Sequence, residues 1–432
     1  MKTQSRLQEA LIILIGLFFY TESQAQFLIN AEVRPRTEFR NGFKTPRTEE
    51  SKPAFFTEQR SRIYLGYQEE KFKVQVTFQD VRVWGASSQI FKRENGNSFL
   101  SEAWGEYSFN SKFSLKAGRQ MLSYDNQRFL GGLEWAQQGR RHDAFLFKYE
   151  DEESKLKFHA GFALNNDDDI AEPAFLQSPT ANFYSVGGNY KRMQFGWFNK
   201  KTDNSSLSIL ALNATLQNAD STNSNKQTFG VIGLTKIKGL TLAADVYYQT
   251  GKIGSNQVNA LLAGINATIK TKITPLTLGV EYISGKNDDD LSTDITNFSP
   301  DYGTNHAFND FMDYCFVGPA NGNVGVTDFY LKSKFKIGKG SLNLRVHEFL
   351  TGSKQIGDEG QELSKMMGTE VDLVYGMKLS PSTSLAIGYS QMFGTNTLIA
   401  LRPGTEKLNN WAFMMLTFKP KPVKIERVQT VE

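Results

Sequence analysis

Apolar and polar residues alternate with a period of two along much of this chain, most clearly between Phe27 and Arg40. One parity carries Phe27, Ile29, Ala31, Val33 and Phe39, and the other carries Asn30, Glu32, Arg34, Arg36, Glu38 and Arg40. Successive side chains of a strand point to opposite faces, so the segment predicts a strand with an apolar face and a charged face.

The same alternation predicts strands elsewhere, at 102–109, 155–162, 191–201, 276–282, 342–347, 370–377 and 410–418. Short turns near 69–70, 110–111, 338–340 and 381–382 alternate with longer polar segments at 41–57, 85–98, 121–140, 165–190 and 284–323. This arrangement predicts an all-β fold, a transmembrane antiparallel β-barrel of about 18 strands with short periplasmic turns and long extracellular loops.

The N-terminus has the layout of a secretory signal peptide. Lys2 and Arg6 precede the apolar stretch Leu11–Tyr20, and Ser23–Ala25 forms a cleavage site with small residues at its first and third positions. We therefore predict a signal peptide at 1–25, an outer-membrane β-barrel at 26–419 and a short periplasmic tail at 420–432. The expected location is the outer membrane of a Gram-negative cell.

Composition narrows the functional class. Aromatic residues make up 12% of the chain, which suits strands and the aromatic girdles of a barrel. A formal net charge of only +4 argues against a nucleic-acid-binding protein. Cys315 is the only cysteine, which excludes an intramolecular disulfide.

Basic residues cluster on the polar parity of the first predicted strands. Arg34, Arg36 and Arg40 share one parity, Arg60 and Arg62 share a parity on the next strand, and Lys73 follows on the third. Arginine carries a permanent planar charge that can bind a carboxylate through two hydrogen bonds, so these residues are candidates for an anion path. The alternative is a structural lattice in which they pair with Glu32, Glu38, Glu58, Glu102 and Glu106.

Two spaced motifs add a more specific signal. The first comprises Gly118–Gln120, Tyr124–Arg128, Trp135 and Gly139–Ala144. The second comprises Asp301–His306, Asp310 and Met312–Tyr314. With the arginine-rich first strands, they resemble the alginate-export family of outer-membrane proteins over nearly the whole mature chain. The resemblance implies a monomeric barrel whose arginine- and lysine-lined lumen passes an anionic polysaccharide.

The resemblance extends the candidate residues into the first motif. Arg119, Arg128, Arg140 and Arg141 join the basic path, and Asp125 and Asp143 join the acidic pairing residues. Arg119 shares parity with the apolar Leu115 and Ala117, so either a bulge turns it inward or it lies above the lipid band. The segment 121–140 is expected to fold into the lumen as a constriction, with a surface cap as the alternative.

The sequence gives little sign of a metal site, a cofactor or a catalytic centre. The acidic runs 167–169 and 288–290 lack the spacing of a calcium-binding EF-hand loop and are interpreted as solvated loop residues, with binding of a hard cation such as calcium as the alternative. No zinc-protease, nucleophile-elbow or nucleotide-binding motif is present, so we predict no metal site, no cofactor and no enzyme activity.

The sequence thus predicts an outer-membrane channel for an anionic polysaccharide or oligosaccharide such as an alginate-like polyuronate. The alternatives are a general or differently selective porin with the same fold, a surface-binding barrel, and an enzyme barrel with a nucleophile beside a histidine on its wall. Expected partners are outer-membrane lipid, the polysaccharide and a possible periplasmic export complex, with no nucleic acid. Periodicity and charge leave the direction of transport open.

Overall fold

The computed structural model describes residues 25–86, 97–165, 190–218, 222–309, 311–315, 324–402, 404 and 409–426. The strands are β1 (Gln26–Asn41), β2 (Ala54–Gln68), β3 (Phe72–Val83), β4 (Asn97–Ser108), β5 (Phe113–Gln120), β6 (His142–Asp151), β7 (Leu156–Leu164), β8 (Arg192–Lys201), β9 (Ser205–Gln217), β10 (Asn223–Ile237), β11 (Leu240–Ile253), β12 (Asn256–Lys270), β13 (Pro275–Ile283), β14 (Val326–Ile337), β15 (Gly340–Thr351), β16 (Met366–Ser380), β17 (Thr383–Gly394), β18 (Asn409–Phe418) and β19 (Val423–Glu426).

Strands β1 to β18 form a closed antiparallel barrel in which each strand pairs with its neighbours in sequence. β1 closes the barrel by pairing with β18, for example Arg40 opposite Trp411 and Val33 opposite Phe418. The predicted antiparallel barrel of about 18 strands is therefore confirmed.

β19 is a short extra strand that pairs with the first four residues of β1, from Gln26 opposite Glu426 to Ile29 opposite Val423. It lies within the segment for which we predicted a periplasmic tail. Residues 1–24 of the predicted signal peptide and residues 427–432 lie outside the described residues.

The two faces of the wall differ in exposure as the alternation requires. On β11, Val246 and Tyr248 are 45% and 42% exposed, whereas Tyr247 between them is buried. Phe145, Phe229 and many other apolar side chains are exposed on the same outward face. An apolar outer face and a polar or packed interior are the features of a barrel that lies in lipid.

The connections at one barrel end are short turns, at 69–71, 109–112, 152–155, 202–204, 238–239, 271–274, 338–339 and 381–382. We call this end the turn side, and the other end the loop side. Long loops at the loop side follow β1, β3, β5, β7, β13, β15 and β17. β9–β10 and β11–β12 depart from this pattern, because their connections at the same end are also short, 218–222 and 254–255.

Two of the long loops fold into the barrel. The inserted loop, residues 121–141, buries Leu122, Phe129 and Leu130. The loop 284–325 buries Phe298 and Tyr314 among its described residues. Their backbones meet where Gly131 N donates to Tyr302 O over 2.8 Å. The inward fold of the first motif segment is thus the one observed.

Helical structure is confined to the 3-10 turn Asn305–Ala307 and the short helix α1 (Asn396–Leu401) among the described residues. In that same part of the chain, no helix is long and apolar enough to cross a membrane.

Candidate functional site

Four arginines of β1 and β2 lie buried on the inner face of the barrel. Arg34, Arg36, Arg60 and Arg62 are between 3% and 7% exposed, and we call them the arginine wall. β1 and β2 place them side by side, with Arg34 directly opposite Arg60. Because their parity is opposite to that of the exposed Ile63 and Leu65, all four point into the lumen.

The inserted loop covers this wall and satisfies its donors. Arg34 Nη1 donates to Glu134 O over 2.8 Å, and Arg36 Nη1 donates to Trp135 O over 2.6 Å. Arg34 Nη2 also donates to Gln137 Oε1 over 2.9 Å. Buried charged groups are stable only when such partners replace water, so the loop and the wall require each other.

Glu134 of the inserted loop carries most of the charge compensation. Its carboxylate binds Arg62 at 2.7 Å, Arg60 at 3.0 Å and Arg141 at 2.8 Å. Burial opposes its ionisation, but the hydrogen bond from Arg62 and the charges of Arg62, Arg60 and Arg141 lower the pKa of Glu134 to about 2. The glutamate is therefore ionised at neutral pH and clamps the loop to the wall.

The predicted acidic residues complete a lattice along the wall. Pairs form between Arg36 and Glu38 (2.8 Å), Arg36 and Glu58 (3.1 Å), Arg40 and Glu38 (2.9 Å), Arg60 and Glu32 (2.5 Å), Arg141 and Glu102 (2.8 Å), and Lys148 and Glu106 (2.9 Å). The geometry is that of the lattice we set out as the alternative to an anion path.

Arg128 and Arg140 join the inserted loop to the loop 284–325. Arg128 is buried, pairs with Glu281 of β13 and donates to Asn309 over 3.0 Å. Arg140 donates to Gly303 O over 2.7 Å. Arg128 has no accessible side-chain surface and therefore does not line a path, which corrects our assignment.

Asp125 anchors the other end of the inserted loop to the far wall. Its carboxylate accepts hydrogen bonds from Trp197 Nε1 of β8 over 2.9 Å and from Ser208 Oγ of β9 over 2.5 Å. Burial raises the pKa of Asp125 even though both partners favour its charged form. The loop thus spans the lumen from β1–β2 to β8–β9.

A cavity of about 290 Å³ remains between the two loops and the first strands. Its lining combines cationic, acidic and aromatic side chains: Arg36, Arg40, Lys44, Arg140, Glu58, Asp313, Phe43, Trp135 and His306. Arg40 keeps 31% of its side chain exposed and stacks over Phe43 at 4.2 Å. Trp135 lies between the Arg36 guanidinium, at 4.2 Å, and the His306 ring, at 5.1 Å.

Residues 26–321 match the family model described as alginate export, which is more than half of the chain. The chain belongs to the alginate-export family.

The fold of this chain is similar to that of several solved outer-membrane proteins. The chain is similar to OccAB4 of Acinetobacter baumannii, with TM-score 0.62 and 8% identity over 94% of this chain and 99% of that one. It is similar to OccK9 (OpdG) of Pseudomonas aeruginosa, with TM-score 0.59 and 11% identity over 92% and 98%. It is also similar to OccK2 (OpdF) of Pseudomonas aeruginosa in complex with glucuronate, with TM-score 0.60 and 11% identity over 91% and 96%. No curated protein matches the sequence.

Family and fold together identify an outer-membrane channel of a Gram-negative cell. An alginate-export protein of this kind is a transport channel and not an enzyme.

Two residues taken from the family motif lie on the wrong face for a lumen site. Arg119 and Asp143 lie directly opposite each other on β5 and β6, with their charged groups 3.6 Å apart. Asp143 shares a face with the exposed Phe145 and Phe147, so both charged residues point outward at the loop side. Their assignment to the lumen is wrong, because the β4–β5 pairing has no bulge that would turn Arg119 inward.

Several residues that the sequence did not single out anchor the loop 284–325 in this alginate-export barrel. Glu370 Oε1 accepts from Phe311 N over 2.8 Å, and Asn309 donates to Glu281 over 2.8 Å. His347 Nδ1 lies 2.9 Å from Asp328, and Arg345 donates to Ala307 O over 3.0 Å. The alternation at 342–347 and 370–377 contained the signal, since it places Arg345, His347 and Glu370 on the polar parity.

The remaining candidates are placed as follows. Lys73 is exposed near the turn side of β3, opposite Glu106. Asp288, Asp289 and Asp290 bind Ile356 N, Lys354 Nζ and Ser292 N, each within 3.0 Å. Residues 167–169 lie outside the described part of the chain.

Proposed function

We propose that the channel passes an anionic polysaccharide or oligosaccharide of the polyuronate type by diffusion, with basic lumen side chains binding its carboxylates. The single observation that carries the proposal is the alginate-export match over residues 26–321. The glucuronate bound to OccK2, a barrel of similar fold, supports a uronate as the class of solute.

The cavity between the loops is the place where we expect this binding. Arg40, Lys44 and Arg140 surround it, and a guanidinium can hold a planar carboxylate in two parallel hydrogen bonds. Glu58 and Asp313 on the same lining keep the binding weak. Conduction needs sites that attract a solute without trapping it.

Ion selectivity of the purified channel in a planar bilayer tests the proposal. We expect anion selectivity, a current blocked by oligouronates, and a loss of most of that block in Arg40→Gln/Lys44→Gln. Arg119→Gln is a control for charge outside the lumen, because it removes one positive charge from the outward face. A pore that is unselective or cation-selective and insensitive to oligouronates would contradict the polyuronate proposal.

A general or differently selective porin is the second candidate. The observation that favours it is the pairing of the arginine wall with Glu32, Glu38, Glu58 and Glu134, which neutralises much of its charge. Neutral sugars that permeate as readily as uronates would select this candidate.

We also infer that the channel works as a monomer. One chain closes the barrel through β1 and β18, so no second copy is needed to complete the wall. A periplasmic export complex stays a proposed partner.

A further inference from the structure

A groove of about 730 Å³ lies at the turn side of β14–β17, away from the cavity already described. It is lined by Lys334, Lys336, Lys339, Gly340, Ser341, Gly376, Met377, Lys378, Ser384, Leu385 and Ala386. We call this set the lysine groove. It contains four lysines and no acidic residue.

The groove faces the lumen and not the lipid. Lys334 and Lys336 share the parity of the buried Asp328 on β14, whereas Phe329 of the other parity is exposed at 50%. On β16, Gly376 and Lys378 share the parity of the buried Asp372. A lipid acyl chain therefore does not reach these ammonium groups, which are open to solute in the channel mouth.

Small residues create the space. Ser341 lies opposite Gly376 on β15–β16, and Gly376 lies opposite Ala386 on β16–β17. A Cβ built on Gly376 would come no closer than 4.0 Å to its nearest neighbour, the Leu385 carbonyl oxygen. The lysines thus border an open trough and not a packed surface.

The lysines are also electrostatically uncompensated. Within the part of the chain that the structure describes, none of Lys334, Lys336, Lys339 and Lys378 has a carboxylate oxygen within 4.0 Å of its ammonium group, in contrast to Lys148 and Lys419. Exposed cationic groups that converge without anions raise the local concentration of a passing polyanion.

We propose that the lysine groove is a binding site for several consecutive carboxylates of a polyanionic saccharide at the turn-side mouth of the channel. Lys334 and Lys336 are two residues apart, about 7 Å along the strand, and Lys378 lies two strands away, about 10 Å across the sheet. One uronate cannot reach all three ammonium groups, but a run of linked uronates can. The groove therefore selects by chain length. This inference rests on the proposed polyuronate function and adds a second site to it.

Block of single-channel current by galacturonate and by oligogalacturonates of increasing length, added to each side separately, tests the groove. For the wild type we expect block from the turn side to strengthen with chain length. In Lys334→Gln/Lys336→Gln/Lys378→Gln, block by the longest oligomer should weaken about tenfold, or about 1.4 kcal/mol. Lys71→Gln/Lys238→Gln/Lys272→Gln removes the same charge from turn-side connections outside the groove and should behave as the wild type.

Gly376→Glu and Gly376→Gln form a second, isosteric pair that leaves every lysine in place. The added carboxylate should reduce the length-dependent block, whereas the amide should not. Equal block in wild type, the triple groove variant and Gly376→Glu would overturn the groove alone and leave the proposed function intact. A wild type that no oligouronate blocks would overturn both.

Discussion

The arginine wall and the lysine groove both carry positive side chains on the inner face, but only one of them is open to solute. Arg34, Arg36, Arg60 and Arg62 are buried under the inserted loop and bound to carboxylates or carbonyl oxygens. The lysines of the groove are exposed and lack acidic neighbours in its lining. The number of basic residues on a strand therefore does not measure the potential that a passing solute meets.

The difference has a simple physical origin. Arginine offers five donors in a fixed fork, so several acceptors can bind it at once and hold a loop in place. Lysine is a strongly hydrated point charge on a flexible stem and stays in solvent unless a carboxylate approaches it. In this barrel we expect the buried arginines of the wall to fix the architecture, and the exposed basic side chains, such as Arg40 and the lysines of the groove, to attract the solute.

The largest effect is expected from Glu134→Gln, which removes the carboxylate shared by Arg60, Arg62 and Arg141. Three guanidinium groups lose their common anion, so the free energy of unfolding should fall by about 3 kcal/mol. Anion selectivity should rise at the same time, because the arginine wall loses one of the carboxylates that compensate its charge. Denaturant unfolding in detergent and bilayer selectivity measure the two changes. Glu359→Gln, at an exposed loop position, is the control.

The next largest effect is expected when Arg34→Gln in the arginine wall is compared with Lys334→Gln in the lysine groove. Arg34→Gln should lower the free energy of unfolding by about 2 kcal/mol, because the Glu134 carbonyl oxygen and Gln137 Oε1 lose their closest donor. Lys334→Gln should change stability by less than about 0.5 kcal/mol. The order reverses for oligouronate block, which Lys334→Gln weakens more. If both substitutions moved stability and block in the same proportion, the division between the two regions would be wrong.

Salt should separate the two regions without any mutation. The Debye length falls from about 10 Å at 0.1 M to about 3 Å at 1 M salt, which screens exposed charges and leaves buried pairs largely intact. Block attributed to the lysine groove should therefore disappear at high salt while the unfolding midpoint changes little. Titration of current block and of thermal unfolding over the same salt range checks this. A midpoint that falls together with the block would show that the arginine wall is solvated.

The smallest expected effect is that of low pH on the stability of the folded chain. The pKa of Glu134 is lowered from 4.5 to about 2 in the folded chain, so its stabilisation is fully present above pH 4.5. It is lost as pH falls from there through about 2. The contribution of Glu134 to stability should therefore stay constant between about pH 7 and 5, and Glu134→Gln should abolish the part of the acid transition due to this residue. An unaltered acid transition in the variant would contradict the assignment.

The sequence carried enough information to predict the barrel and the inward parity of Arg34, Arg36, Arg60 and Arg62, because a period of two determines the face of every strand residue. The alternation did not predict that Glu134 pairs with these arginines. Glu134 comes from a loop without periodicity, and its contact with Arg62 joins residues that are far apart in sequence. The outward direction of Arg119 was visible in its parity and was outweighed by the family motif.

The lysine groove is a second feature that could not be predicted from the sequence. Lys334 and Lys378 line the same groove only because β14, β15 and β16 are neighbours in the sheet. The open space between the two lysines depends on the small residues at 341 and 376. The alternation of apolar and polar residues indicates which face a residue occupies but not how much empty space lies beside it. Adjacency in the sheet and side-chain volume have to be known together.

The pairing of β19 with β1 has a consequence for how this protein is assembled. Gln26 and Glu426 lie opposite each other in the sheet, so this turn-side part of the barrel wall joins residues that are 400 positions apart in the sequence. Pro420 and Pro422 interrupt the approach to that pairing, because proline has no backbone N–H to donate. During synthesis residues 26–29 have no β19 partner until residues 423–426 have been made. A cellular factor that shields the open edge of β1 during this interval would protect the protein from aggregation.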